Sequence, residues 1–200
     1  MATVYSSVPT LTTELVLFGG QNSSTNDFGD TWIYQDGNWS RVATPIHPPA
    51  RASASMVYDA ADHYVVLFGG VNLTTGQVYN DTWIFTGSVW IQLALTHAPP
   101  ARYGAASTWA FATVASGLGG PHGGDHFGYV LLFGGQSGPN AYLADTWKFV
   151  GGQWTLITTN PKSGPLAASY AMMSDDLDDG NPVLSGGYDG TLQSDFWIFR

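Results

Sequence analysis

A triplet written four times limits what this chain can fold into more than any other feature. Phe18-Gly19-Gly20 recurs as Phe68-Gly69-Gly70, as Phe133-Gly134-Gly135 and, weakened, as Ser185-Gly186-Gly187. Asp30-Thr31-Trp32 recurs as Asp81-Thr82-Trp83, Asp145-Thr146-Trp147 and Asp195-Phe196-Trp197. Trp39, Trp90 and Trp154 each follow seven residues after the tryptophan of that second motif. The three markers keep step, so the chain holds four copies of a unit of about 50 residues, the third enlarged by an insertion of about 14. Units of this length are single supersecondary elements that bury their faces on one another.

Each unit reads as four strands, most clearly the second, at residues 55–58, 64–68, 81–85 and 90–93. The runs Val65-Val66-Leu67-Phe68 and Val130-Leu131-Leu132-Phe133 do not alternate; they are apolar on both faces, as strands covered on both sides are. Asp36-Gly37, Thr86-Gly87 and Gly151-Gly152 fall between the third and fourth strands, where a tight hairpin needs positive φ. Helical periodicity is absent. Small antiparallel sheets buried on both faces stack on copies of themselves, and the closed solution is a β-propeller. The tryptophans then act as plates between blades. The double glycines mark where the second strand ends on permissive backbone.

Gly-Gly after four apolar residues, Asp-Thr-Trp about ten residues on and Trp seven further resemble the kelch repeat. Pro99-Pro100-Ala101-Arg102-Tyr103-Gly104 and Pro48-Pro49-Ala50-Arg51 resemble the linker that leads into the next kelch blade. The resemblance covers essentially the whole chain and implies an all-β, kelch-type propeller. Four four-stranded antiparallel blades are expected, at residues 1–47, 48–98, 99–162 and 163–200, the last lacking its outermost strand. Kelch propellers usually have six or seven blades. Three arrangements therefore stand: part of a longer propeller, a closed four-bladed ring, or two chains sharing an eight-bladed ring. The family serves as interaction modules, enzymes and cell-surface parts, so the fold alone fixes no function.

Composition narrows the classes. The 200 residues carry 6 Lys and Arg against 15 Asp and Glu, a formal charge of −9. That balance disfavours a nucleic-acid partner. No apolar run is long enough for a membrane span. With no Cys there is no disulfide, thiolate metal site or cysteine nucleophile, and the thioether-crosslinked tyrosine of kelch-type copper oxidases is excluded. The sole Glu is Glu14, which removes paired-glutamate glycosidase chemistry, and no Gly-x-Ser-x-Gly elbow occurs.

Arg51 and Arg102 occupy one repeat position, with Leu166 expected there in the last unit. By the kelch resemblance they stand at the mouth of the central channel. They either clamp a carboxylate ligand through two parallel hydrogen bonds or satisfy carbonyls between blades. Tyr79, Tyr103, Tyr142 and Tyr188 lie on or beside loops expected on the same face, rich in Asn, Ser, Thr and Gly, as protein-binding and sugar-binding surfaces are. His122, Asp125 and His126, in an insertion over residues 113–128 expected between the first two strands, are candidate metal ligands. Asp175, Asp176, Asp178 and Asp179 are candidate calcium ligands by composition. Asp30, Asp81, Asp145 and Asp195 are expected to accept hydrogen bonds from loop N–H groups.

Asn22, Asn38 and Asn72 head glycosylation sequons, whereas the sequon at Asn80 falls inside the structural motif. Residues 1–17 lack the basic start and long apolar stretch of a signal peptide. The sequons and scarce lysine point to an extracellular or cell-surface setting, with the cytoplasm as the alternative. The expected function is a non-catalytic binding or assembly module with no obligatory cofactor. Its partner is a protein, a glycan or further copies of itself. The competing reading is a metal-dependent carbohydrate-processing enzyme using Asp and His at the channel mouth.

Overall fold

The computed structural model describes residues 2–5, 13–22, 26–111, 128–158, 164–175 and 181–199. These residues contain no helix; they form separate antiparallel sheets that follow one another along the chain. The first sheet has β1 (Ala2–Tyr5), β2 (Thr13–Asn22), β3 (Asn26–Gln35) and β4 (Asn38–Val42) in spatial order. The second places β5 (Ser55–Asp59) next to β6 (Tyr64–Phe68). A two-stranded loop hairpin, β7 (Val71–Asn72) and β8 (Gln77–Val78), precedes its last strands, β9 (Thr82–Phe85) and β10 (Trp90–Leu93). The third runs β11 (Ala106–Phe111), β12 (Gly128–Phe133), β13 (Thr146–Val150), β14 (Gln153–Thr158). The fourth has three strands, β15 (Met172–Asp175), β16 (Pro182–Ser185) and β17 (Phe196–Ile198). An all-β chain of stacked sheets is a propeller-like or sandwich architecture.

The apolar runs behave as their composition requires. Val65, Val66, Leu67 and Phe68 are each at most 2 % exposed, because β6 is covered on both faces. Val65 and Leu67 pack towards the first sheet with Val16 and Phe18, while Val66 and Phe68 pack towards the third with Val130 and Leu132. Phe133 and Leu184 join the third and fourth sheets. First strands pack in chain order, β1 on β5, β5 on β11 and β11 on β15. Along that line one backbone position repeats with positive φ: Ser53 at 54°, Gly104 at 63° and Tyr170 at 56°. Its N–H groups link successive units, Gly104 donating to the Ser53 carbonyl at 2.9 Å and Tyr170 to that of Gly104 at 2.7 Å.

Tryptophan fastens the second and third sheets each to the one before it. Trp90 lies 5.2 Å from Phe18 and 4.9 Å from Phe85, between the two sheets, and donates its indole N–H to Thr31 Oγ1 at 2.9 Å. Trp154 repeats this between Phe68 and Phe149, at 5.2 and 5.1 Å, with Thr82 as acceptor at 3.0 Å. The first glycine of the first three double glycines has no room for a side chain. A Cβ on Gly69 or Gly134, both at positive φ, would strike the carbonyl oxygen of Arg102 or Ala168 in the following unit.

Candidate functional site

The two repeated arginines do not stand open at a mouth. Arg51 and Arg102 are each 1 % exposed. Arg51 Nη1 and Nη2 donate to the two carboxylate oxygens of Asp81 at 2.5 and 2.8 Å. Nη1 also donates to the Gly69 carbonyl, Nε to that of Pro49, and the guanidinium lies 3.9 Å above the Tyr79 ring. Arg102 makes the same contacts with Asp145, Gly134 and Pro100. Each arginine thus ties the entry to its sheet's first strand to the end of the second and the start of the third. A guanidinium with this many acceptors has no free fork for a carboxylate ligand, which corrects the ligand-binding expectation for both residues. The arginines do satisfy carbonyls, as the other expectation had it, but those of Pro49, Gly69, Pro100 and Gly134 lie within each arginine's own unit and not between blades.

Two further readings change with the arginines. Gly20, Gly70 and Gly135 N–H groups donate to the carbonyls of Arg51, Arg102 and Ala168, so Ala168 and not Leu166 occupies the arginine position of the last unit. Three of the four motif aspartates, Asp30, Asp81 and Asp145, accept from side chains, which replaces the expected loop N–H donors as their main partners. Trp32, Trp83 and Trp147 donate their indole N–H to Asp30, Asp81 and Asp145 at 2.6 to 2.7 Å. Burial alone would raise the Asp145 pKa. Hydrogen bonds from Arg102 and Trp147, with the charge of Arg102, outweigh it and hold the carboxyl below its ordinary range. The signal available in the sequence was the co-occurrence of one cation and one anion in the same two units.

The tyrosines separate into two environments. Tyr79 lies under Arg51. Tyr142 and Tyr188 meet edge to face at 5.8 Å. Tyr103 reaches them through Gln136, which forms backbone bridges to both Tyr103 and Tyr142, while buried Ser169 bridges Tyr188. Burial first, then the charges of Tyr188, Asp189 and Tyr103, push the Tyr142 hydroxyl above its ordinary pKa. Asp189 pins the adjoining loop by accepting from Thr191 N–H, Thr191 Oγ1 and Gln193 Nε2. Tyr170, not foreseen from sequence, is 55 % exposed, with its ring over Gly104 and its hydroxyl 3.5 Å from Ser53 Oγ. The result is a polar, aromatic loop face suited to stacking and hydroxyl hydrogen bonds.

His122, Asp125, His126, Asp176, Asp178 and Asp179 lie outside the described residues, and Asp175 closes β15. Among the described residues no three His, Asp or Glu side chains converge as a metal site. Asn22 and Asn38 are exposed. Asn72 is committed to a turn: its Nδ2 donates to the Ala50 carbonyl and its Oδ1 accepts from Thr75. A half-open cleft of about 400 Å³ beside Asp30 is lined by Arg41, Val42, Thr44, Pro45 and His47.

A scan of protein families finds no match for the chain, and no curated protein matches it. Among solved structures it is similar to one titled "Structure of YjhT", with a TM-score of 0.60 and 16 % identity over 92 % of this chain. The match spans 58 % of that protein, so this chain corresponds to little more than half of it. At such identity the likeness is one of fold.

Proposed function

We propose that the chain is a non-catalytic binding and assembly module, an arc of four kelch-type propeller blades, the last three-stranded. The observation that supports this most is where apolar surface remains. Trp39 of the first sheet is 45 % exposed. In the fourth sheet Met172 is 78 %, Phe196 64 % and Ile198 45 % exposed. Ile91 and Ile157 are as exposed on the middle sheets, but Trp39, Met172 and Phe196 hold positions that Trp90, Ala106 and Thr82 fill buried, and uncovered packing faces of that kind mark surfaces that pair with something. Arg51, Arg102, Asp81 and Asp145 are meanwhile consumed inside the units, and Trp90 and Trp154 between them, which leaves the loops to recognition rather than chemistry. The face around Tyr142, Tyr170 and Tyr188 suits a protein or glycan partner, and exposed Asn22 and Asn38 favour an extracellular or cell-surface setting.

Light scattering on a sizing column across a concentration series tests the assembly reading. The expected result is a native mass near twice the 21.4 kDa of one chain at high concentration. A mass of one chain throughout overturns it.

A further inference from the structure

We propose that a second copy of this chain docks head to tail, the first sheet of one copy on the outer face of the fourth sheet of the other, with Trp39 as the inserted residue. The inference rests on the assembly reading and gives it an interface. Both halves of that interface already exist inside the chain. Leu15, Leu17, Tyr34 and Trp39 hold the positions of Val65, Leu67, Phe85 and Trp90, which lie buried against the preceding sheet at 0 to 3 % exposure. In the first sheet the same positions are exposed or half-buried. Trp39 is already stacked on its own sheet's Tyr34, at 5.3 Å, as Trp90 is on Phe85 at 4.9 Å. It lacks only the ring and the hydroxyl that a preceding sheet supplies.

The fourth sheet presents a ring and a hydroxyl. In the first three units they are a directly opposed cross-strand pair, Phe18 with Thr31, Phe68 with Thr82 and Phe133 with Thr146. In the fourth unit the opposed pair is Ser185 with Phe196. Ring and hydroxyl have exchanged strands, but both are kept, and both are exposed. Beside them Ile198 occupies the position of Ile84, which packs against the third sheet. Among the described residues, donor and acceptor faces therefore stand uncovered on the first and fourth sheets and continue an interface built twice between the sheets. Two chains joined this way satisfy both ends at once and close symmetrically.

The test uses two variants, Trp39→Ala and Phe196→Ala, each at an exposed position. Melting curves and circular dichroism confirm that each still folds. Buried aromatic anchors dominate interfaces, so each variant alone is expected to weaken dimerisation at least tenfold in light scattering. Mixing the two is expected to restore a dimer, because one of its two contacts pairs an intact Trp39 with an intact Phe196. A wild-type monomer at every concentration overturns both this interface and the assembly reading. A wild-type oligomer that neither variant disturbs, or variants that mixing does not rescue, overturns the interface alone.

Discussion

A buried guanidinium and its carboxylate depend on each other, and the dependence is unequal when one is removed. Arg102→Ala leaves Asp145, 16 % exposed at its side chain, beside two carbonyls that have also lost their donor. Breaking a buried pair from one side is expected to destabilise the protein by about 3 kcal/mol, measured by urea unfolding. Acid acts on the same pair from the other side. The Asp145 carboxyl is held below its ordinary 3.8, so its contribution is present above that pH. It is lost as pH falls through the lower folded value, and the Arg102→Ala protein is expected to show a shallower acid loss than wild type. A cost well below 1 kcal/mol would mean that the guanidinium is not structural. Sequence showed that Arg102 and Asp145 repeat as Arg51 and Asp81 do, but not that they touch. Their contact depends on bringing together three strand ends far apart in the chain, a tertiary register that no local pattern encodes.

Strands were legible where two independent signals agreed. The run at β6 and the positive-φ turn at Asp36 and Gly37, with φ of 50° and 83°, both lie where apolar runs and Asp-Gly placed them. The position of Ala168 was not legible: Arg51 and Arg102 each follow the preceding tryptophan by 12 residues, a count that gives Leu166, whereas Ala168 follows Trp154 by 14. Neither was the cross-sheet role of the motif threonine, which looks like a strand former in sequence and is an indole acceptor in the fold. Thr82→Val keeps shape and removes the hydroxyl, so Trp154 Nε1 is left buried with no acceptor. That is expected to cost about 1–3 kcal/mol in chemical unfolding. Thr146→Val serves as the comparison. No indole reaches Thr146 among the described residues, so its loss is expected to cost less. Equal costs at both positions would show that the hydroxyl matters within its own sheet and not between sheets.

Stacked sheets gain stability from neighbours, and the neighbours are unevenly shared. The second and third sheets are covered on both faces, through Val65, Val66, Val130 and Leu131, each at most 2 % exposed. The fourth sheet contributes Leu184 to one interface and leaves Met172, Phe196 and Ile198 uncovered on its other face. Local opening follows such differences. Amide exchange in dilute protein is therefore expected to be slowest in β6 and β12 and fastest in β16 and β17. Raising the concentration adds a neighbour only where one is lacking. If the ends meet, protection rises first and most in β3, β4, β16 and β17, where the partner suppresses local opening, while β6 and β12 gain only what association adds to global stability. A rise confined to one end would contradict a head-to-tail contact, because that contact covers a donor face and an acceptor face in equal number.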